Sequence, residues 1–519
     1  MSKSSAMRDF FRRHWMLLAL VTTGAMLRMI FLSGIPPAIF RDEAEKACNA
    51  GSLLLTGRDL SGRLLPLFIN VFGVTTSAIY QYAAIPFVSV FGLNEWGARL
   101  PAAMAGCATI IVNYYYMKRE RGMATALWAS LFLALSPWHI IFSRWAQQGI
   151  FLPLLLAGAM LSWRAFLGGS RHALPIAAVC FGMALYAYEV ARLFVPAMLL
   201  LMSILYWREL RARWRETLPS VAILLLMAAP VISLMLSNHH SAQARFSKIS
   251  IFQQGNSPAG IMLEFSRNYL SHLSPGFLLI RGDAELRHSA GVGMLTGAEC
   301  AAAIAGIILL IKRRGRGDLL LLGWLALYPV PASLTREGVP HALRAIVAIP
   351  VIADVAACGM AWCVSLFPDR IQTAACKIGV LLQLAAFLPF AVSYFGSYAA
   401  RSAFNWQYGV KQALQIGARL PADTNMVFYN VTGAKYLVAF YAKIPPGEIQ
   451  KDYFAHSRYV FPPFNISPGL LCSKFTDSTA YVMPLPYDWP CAEKTIDIRA
   501  PGSFQTVMRM NLNKQRAGK

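Results

Sequence analysis

The sequence has little charge, and most of that charge is of one sign. Only 14% of its 519 residues are charged, and 25 acidic residues stand against 48 basic ones. An ordinary soluble domain has about 25% charged residues, so this composition argues against a soluble fold. Because 56% of the residues are hydrophobic and the mean hydropathy is +0.46, the chain is expected to be an integral membrane protein.

Several familiar motifs are also missing. The sequence has no Gly-rich phosphate loop of the Walker or dinucleotide type, so a nucleotide substrate is not indicated. It has no internal repeat, which counts against carriers built from two similar halves. No small-residue cleavage site follows the apolar segment 15–32, which is therefore expected to remain as the first membrane anchor.

The formal net charge of +23 predicts contact with anionic lipid head groups rather than with nucleic acid. The Lys and Arg residues fall in short clusters between apolar runs, where the positive-inside rule puts them. With the amino terminus inside, every dense basic cluster lies on the cytoplasmic side. The topology is therefore predicted to be N-in and C-out.

The apolar runs predict about eleven membrane-spanning helices. They lie near residues 15–33, 99–117, 122–138, 148–166, 173–188, 190–206, 217–236, 297–311, 318–334, 342–366 and 376–394. The run 78–90 would invert this topology, so it is predicted as a juxtamembrane or re-entrant helix on the outer face.

Two regions are predicted, a transmembrane domain over residues 1–397 and a small extracytoplasmic α/β domain over 398–519. In the second, strand-like MVFY and AYVMPL alternate with helix-like GAKYLVAFYAK. Its only cysteines, Cys472 and Cys491, would pair in an oxidising compartment. The outer face also receives the loops 34–97 and 237–295 and a short loop around SPWHIIFSRWAQQ.

The stretch RDEAEKACNAGSLLLTG, which begins at Arg41, has two interpretations. It is either an amphipathic surface helix with a capping box from Asp42 to Glu45 and an end at Gly57, or the carrier of a general base. A carboxylate beside the bilayer is suited to take a proton from a substrate hydroxyl whose reaction partner is anchored in lipid. The stretch alone leaves both interpretations open.

Basic residues on the outer side are candidates for holding a lipid-linked phosphate, because Arg binds phosphate through two hydrogen bonds. Arg344 lies about one turn inside a predicted span, where a charge is costly unless it faces a cavity, which favours a functional role. Arg99 and Arg192 are interpreted as interfacial residues whose heads reach water. The candidates are Arg144, Arg192, Arg281, Arg287, His341 and Arg344.

The loop GDAELRHS places Asp283, Arg287 and His288 close together in the chain. It is either an ordinary polar loop or a substrate clamp. One His and one carboxylate are too few ligands to indicate a metal site, so none is predicted.

Six segments in the same order carry a family resemblance. They are RDEAEKACNAGSLLLTGRDLSGRLLPLF, FGLNEWGARLPAA, SPWHIIFSRWAQQG, YAYEVARLFVP, SPGFLLIRGDAELRHSAGVG and PHALRAIVAIP. From about residue 30 to 360 the chain resembles the bacterial protein-mannosyltransferase-like, or ArnT-like, branch of the GT-C glycosyltransferases. The order of the segments is more specific than any single motif.

The resemblance implies an α-helical polytopic enzyme of the bacterial inner membrane with its active site facing the periplasm. Such an enzyme moves a sugar, with inversion, from a polyprenyl-phosphate carrier to a lipid, polysaccharide or protein. The family's acidic pair maps onto Asp42 and Glu43, with Asp42 as the general base, and its basic positions map onto Arg144, His341 and Arg344. No cofactor besides the lipid-linked sugar donor is implied, and a metal requirement is doubtful.

Arg192, Asp283, Arg287 and His288 are added as further substrate-binding candidates. The rival interpretation is a polytopic transporter or a lipid flippase of glycan assembly.

Overall fold

The computed structural model describes residues 3–237, 249–253, 256–464, 466–475, 478–484, 491–503 and 505–513, with side chains from residue 14 onward. A helix lies at each of the eleven predicted spans. In chain order the helices before residue 403 are α1 (Lys3–Met29), α2 (Arg41–Thr56), α3 (Ile79–Phe91), α4 (Glu95–Arg121), α5 (Met123–Leu135), α6 (Pro137–Ser143), α7 (Phe151–Leu167), α8 (Ala173–Ala187), α9 (Ala191–Leu205), α10 (Trp207–Ala212), α11 (Trp214–Ser237), α12 (Pro258–His272), α13 (Gly297–Arg313), α14 (Arg316–Leu327), α15 (Val330–Ser333), α16 (Ala348–Ser365), α17 (Asp369–Val392) and α18 (Tyr398–Ser402).

Four helical segments of the described chain are long and apolar enough to cross a membrane. They are Gln148–Leu167, Trp214–Ser237, Ala348–Ser365 and Asp369–Ser402, and α5 with α6 passes as a fifth if this pair, bent by 58°, counts as one span. Helices α8 and α9 have 15 residues each, fewer than the roughly 20 that a full crossing requires. The chain is a multi-pass membrane protein, whereas the number of about eleven spans and the N-in, C-out order stay predictions.

Helix α2 begins two residues earlier than the predicted capping box requires. Phe40 is its N-cap, and its backbone N–H donates to Glu43 Oε2 at 3.0 Å. The predicted box from Asp42 to Glu45 is therefore wrong. Glu45 Oε1 instead accepts from the side-chain amides of Asn49 and Gln81, at 2.8 and 3.0 Å.

The rest of the first loop agrees better with the sequence. Gly57 ends α2 in the left-handed conformation, with φ of 66°. Strands β1 (Phe68–Val71) and β2 (Val74–Ser77) form an antiparallel hairpin, and α3 lies where the juxtamembrane helix was predicted. These elements place α2 beside α3 and α4.

The segment SPWHIIFSRWAQQ, which was predicted to be a short outer loop, is buried and contains helix α6, followed by a 3₁₀ turn at Gln148–Ile150. Pro137 has no N–H to donate to the carbonyl of Leu133, and Trp138 N–H donates to Met294 O rather than to Ala134 O.

Arg28 of α1 satisfies both carbonyls left free at this turn. Its guanidinium donates to Leu133 O at 2.9 Å and to Ala134 O at 3.2 Å. A buried arginine thus lets the chain bend inside the helix bundle without unpaired carbonyls.

The carboxyl-terminal residues form an α/β module around one mixed sheet. Its strands are β3 (Asn425–Phe428), β4 (Tyr459–Val460), β5 (Thr479–Met483), β6 (Lys494–Arg499) and β7 (Thr506–Leu512), in the spatial order β4-β3-β5-β7-β6. Strand β3 is parallel to both β4 and β5, and β7 is antiparallel to β5 and β6. The helices of the module are α19 (Tyr408–Gly417), α20 (Ala434–Tyr441), α21 (Pro446–Ile449) and α22 (Pro468–Lys474).

A disulfide joins Cys472 to Cys491, the pair expected from the sequence. The module packs on the first loop through α20 and α21, which contact α2. Gln450 at the end of α21 donates to Ser52 Oγ at 3.1 Å and to Asp59 O at 3.0 Å. The domain boundary at residues 397 and 398 and the extracytoplasmic location stay predictions, and the helical segment Asp369–Ser402 runs across that boundary.

Candidate functional site

Arg99 holds the chain that leads into α2. Its guanidinium is fully buried and donates to both carboxylate oxygens of Glu43 at 2.9 Å. It also donates to the carbonyls of Leu32, Pro36 and Ala38, at 3.0, 2.9 and 2.6 Å. The interpretation of Arg99 as an interfacial residue that reaches water is therefore wrong, because every donor nitrogen ends on protein.

Arg144 holds the preceding part of the same chain. It is fully buried, and it donates to the carbonyls of Leu27, Ile30 and Ile35 at 2.9, 2.7 and 2.8 Å. Its guanidinium also lies over the ring of Tyr394, 5.6 Å from the centroid. Arg144 and Arg99 together bind six carbonyls between residues 27 and 38, so the entry to α2 has a defined path.

The two neighbouring acids at the start of α2 have different surroundings. Glu43 is fully buried and, besides the guanidinium of α4, accepts the backbone N–H groups of Phe40 and Ala146 at 3.0 and 2.9 Å. Asp42 keeps a side chain that is 31% exposed, with Arg41 Nε 3.5 Å from its Oδ1. Asp42 is therefore the acid with room for a substrate.

The loop that carries Asp283 is tied to the loop before α16. Asp283 Oδ1 accepts the N–H of Glu285 at 2.9 Å, while Oδ2 is 3.0 Å from His288 Nδ1 and accepts the N–H of Ala342 at 2.8 Å. One carboxylate thus fixes the shape of its own loop and joins it to a segment almost sixty residues away in sequence.

Three possible metal ligands lie together at this junction. One ligand atom from each of Asp283, His288 and His341 lies within 4.8 Å of the others. The sequence argument against a metal site assumed one His and one carboxylate, and that assumption is wrong because folding brings His341 to the pair. Two imidazoles and a carboxylate are a donor set that suits a transition metal, although Asp283 already holds the hydrogen bonds described above.

Arg287 connects this loop to the start of α2. Its guanidinium lies over the ring of Phe40, 4.0 Å from the centroid, and its Nε donates to Glu285 Oε1 at 3.1 Å. Burial raises the pKa of Glu285, but the hydrogen bond and charge of Arg287 outweigh it and hold that pKa below its usual range. Arg287 therefore faces a carboxylate that stays ionised.

Arg344 turns toward the loop before it. Its Nη1 donates to Thr335 Oγ1 at 2.8 Å and to Glu337 O at 2.6 Å. His341 is half-buried, and its backbone N–H donates to His272 Nε2 at 3.0 Å. The two late basic candidates are thus close to each other and to His288, whose ring centroid is 4.7 Å from that of His341.

Arg192 makes no side-chain hydrogen bond or ion pair with this cluster in the part of the chain that the structure describes. It lies half-buried in the first turn of α9, and its Nε has no hydrogen-bond partner among the described residues. Its role as a substrate-binding residue stays a prediction.

A cavity of about 280 Å³ opens between the start of α2, the Asp283 loop and the carboxyl-terminal module. Phe40, Arg41, Glu285 and Arg287 line it from one side, and residues 403–405, 407–409 and 430–432 from the other. The described lining includes neither Asp42 nor Arg344. Arg41, which lines the cavity, has its Nε 3.5 Å from Asp42 Oδ1.

The sequence motifs missed the buried roles of Arg28 and Arg99. Their positions could have indicated these roles. Arg28 lies within a predicted span and Arg99 at the edge of one, and an ionised group there requires a partner. Their partners are backbone carbonyls, the side chains of Ser143 and His139, and the carboxylate of Glu43, most of them distant in sequence, and no local motif predicts these pairs.

Comparison with known proteins adds a partial match to a family model and a fold. Residues 75–234 match the family model described as dolichyl-phosphate-mannose-protein mannosyltransferase. No curated protein matches the chain in sequence.

Solved structures match over almost the whole chain. ArnT from Cupriavidus metallidurans bound to undecaprenyl phosphate superimposes with a TM-score of 0.62 at 14% identity, covering 98% of this chain and 99% of ArnT. The archaeal oligosaccharyltransferase AglB from Archaeoglobus fulgidus, in complex with an inhibitory peptide and a dolichol-phosphate, matches with a TM-score of 0.52 at 12% identity, covering 91% of this chain and 70% of AglB. The chain thus has the fold of these proteins, and this fold agrees with the family resemblance seen in the sequence.

Proposed function

We propose that the protein is an inverting glycosyltransferase that moves a sugar from a polyprenyl-phosphate carrier to an acceptor of the cell envelope. The observation that carries this proposal is the contrast between Asp42 and Glu43. Glu43 has both oxygens bonded within the protein, whereas the Asp42 side chain is 31% exposed beside a cavity. The fold shared with ArnT, whose structure contains undecaprenyl phosphate, supports the choice of donor.

In the proposed reaction Asp42 is the general base. It takes the proton from the acceptor hydroxyl as that oxygen attacks the anomeric carbon of the sugar. The bond from the anomeric carbon to the phosphate oxygen breaks on the opposite face, and the electron pair leaves with polyprenyl phosphate. The configuration is inverted because one displacement occurs.

The departing phosphate requires cations, and the loops after α12 and before α16 supply them. Arg287 and Arg344 are the proposed cations of the donor-phosphate site, with Arg287 also lining the cavity next to α2. His341 is the third proposed donor-phosphate residue, and it contributes as a neutral hydrogen-bonding imidazole because burial holds its pKa well below its ordinary value. Fixed positive charge stabilises the developing negative charge, so no dissociable cofactor besides the lipid-linked donor is required. Asp283 and His288 position these cations through the contacts already described.

Glu43, Arg99 and Arg144 have positioning roles in this proposal. Their hydrogen bonds end on one another and on residues 27–38 and 146, so they set the direction in which Asp42 leaves the helix. Such support matters because a displacement of about 1 Å can cost about 100-fold in rate.

We also propose that the site faces the periplasm of a bacterial inner membrane. The bundle end opposite Asp42 carries two basic clusters. One is at the carboxyl end of α4 and contains Lys118, Arg119 and Arg121, and the other is at the carboxyl end of α13 and contains Lys312 and Arg313. The positive-inside rule assigns such an end to the cytoplasm. The acceptor is a lipid, polysaccharide or protein that enters the cavity beside the carboxyl-terminal module.

The test is sugar transfer from a polyprenyl-phosphate donor by the purified chain and by Asp42→Asn. Loss of a general base is expected to lower turnover by about 10²- to 10⁴-fold while the unfolding temperature stays close to that of the wild type. Asp423→Asn, which removes an exposed carboxylate of the carboxyl-terminal module, is the matched control and should keep full activity.

Near-wild-type turnover of Asp42→Asn would remove Asp42 from the mechanism. Lipid movement across vesicles without any transferred sugar, by the wild type, would favour the flippase or transporter instead.

A further inference from the structure

A second basic pocket lies at the end of the bundle opposite Asp42. Helix α4 carries Arg99 near its start and Arg119 near its end. At about 1.5 Å per residue the two positions are about 30 Å apart, which is close to the thickness of a bilayer core. A cavity of about 620 Å³ lies where the ends of α4 and α7 meet the start of α8. We call it the basal pocket, and Arg119, Ser162, Arg164, Ser170, His172 and Ile176 are among the residues that line it.

The basal pocket has an excess of positive charge. Arg119 is exposed and has no ion pair among the described residues. Arg164 Nε lies 2.8 Å from Glu120 Oε2, but Glu120 is shared, because its Oε1 lies 3.9 Å from Arg121 Nη2. The described lining contains no Asp or Glu, so the pocket favours an anion.

The start of α8 adds donors to the same pocket. His172 is the N-cap residue and Ala173 the first residue of the helix, and both line the pocket. No side chain caps this end, so its first N–H groups and the positive end of the helix dipole are available to an anion. The two arginines and the helix start thus favour the same kind of ligand from different elements.

An apolar track leaves the pocket along α8. Ile176 lines the pocket and is 54% exposed, and Val179, about one turn further along the helix, is 43% exposed. Residues three apart lie on one helical face, so the two side chains form a continuous strip. An anion with an acyl chain fits this arrangement, with the anion among the arginines and the chain along the strip.

We propose that the basal pocket binds the phosphate of an anionic glycerophospholipid. Basic pockets between membrane helices on the cytoplasmic side are suited to such head groups. A phosphate ion would share the polar contacts, but it would leave the apolar strip uncovered. This site is separate from the proposed donor site at the other end of α4.

The test is native mass spectrometry of the purified full chain titrated with phosphatidylglycerol, with phosphatidylcholine as the zwitterionic comparison. Arg119→Gln is expected to weaken phosphatidylglycerol binding about tenfold, the loss typical of one charge-assisted hydrogen bond. Arg211→Gln removes an exposed cation of α10 at the same end but outside the pocket, and it should change binding by less than about twofold.

Ser170→Asp is the second variant, since Ser170 is exposed and an acid near the start of α8 is compatible with folding. It should repel the lipid while leaving the unfolding temperature unchanged or slightly raised. Equal affinities in Arg119→Gln and Arg211→Gln, or unchanged affinity in Ser170→Asp, would overturn the proposal. Displacement of the lipid by inorganic phosphate at similar concentration would overturn the lipid assignment in favour of a free-phosphate site.

Discussion

The arginines beside α2 and the basic residues of the later loops differ in what their side chains contact. Arg99 and Arg144 are fully buried, and their hydrogen bonds end on backbone carbonyls and Glu43. Arg287 and His341 are half-buried, face loop residues, and in the case of Arg287 line a cavity. A fully buried guanidinium whose hydrogen bonds end on the protein positions the chain, whereas a partly exposed basic side chain is available to substrate.

The largest expected effect tests the fully buried arginines beside α2. Arg99→Met leaves the carboxylate of Glu43 buried without its cation, and removal of one partner from a buried pair costs about 3–5 kcal/mol of stability. Chemical denaturation in detergent measures the loss. Arg99→Lys keeps the charge but not the planar fork, so it should fall between Arg99→Met and the wild type.

A loss below about 1 kcal/mol in Arg99→Met, the range of an exposed ion pair, would contradict the positioning role.

The next largest effect tests the partly exposed basic residues of the later loops. Arg287→Gln should lower sugar transfer by about 10- to 100-fold, the range of a lost charge-assisted hydrogen bond, with little change in stability. Steady-state transfer and thermal unfolding of the same preparation measure both quantities. Arg281→Gln, an exposed position of the same loop, is the control and should behave like the wild type.

If both variants lose the same activity, the loop acts through its overall charge rather than through Arg287.

A smaller effect concerns pH. Burial, together with the charges of His288 and Arg344, holds the pKa of His341 well below its ordinary value. The unfolded chain therefore binds the proton more readily than the folded one, so stability from this group is present above about pH 6.5 and is lost as the pH falls below it. The free energy of unfolding should change by no more than about 1.4 kcal/mol per pH unit through this group, and His341→Gln should reduce that change.

Thermal unfolding across this range measures the effect. An unchanged slope in His341→Gln would assign the pH dependence to other groups.

The smallest expected effect concerns metal. Asp283, His288 and His341 lie close enough to hold an ion, yet Asp283 already accepts from His288 and Ala342. We expect transfer to continue in excess EDTA at an unchanged rate. Elemental analysis of the purified chain, with Asp283→Asn as the comparison, checks whether an ion is bound. A loss of transfer in EDTA that zinc or manganese restores would make these residues a metal centre.

Much of the fold could be predicted from local patterns. The apolar runs located a helix at each predicted span, and MVFY and AYVMPL became β3 and β5. The pair Cys472 and Cys491 could be named because no other cysteine lies in the same module. These features depend on residues that are close in the sequence, where hydrophobic period and composition are direct evidence.

The sequence predicted which residues belong to the candidate site, but not how exposed each of them is. The family resemblance pointed to Asp42, Glu43 and Arg344, but it did not separate the exposed acid from the buried one. The N-cap of α2 was misplaced by two residues, because Phe40 is the N-cap and its backbone N–H donates to Glu43 rather than to Glu45.

By itself the sequence determined that the chain is a helical membrane protein, which segments are apolar, and where its basic clusters lie, because partitioning into lipid depends on local composition. Only the tertiary structure decided which charged groups meet. Arg99 reaches Glu43 across 56 positions of sequence, and His341 joins His288 from a separate loop. Such pairs form because a buried charge must find a partner wherever the packed helices bring one, and packing is not written in any short stretch of the chain.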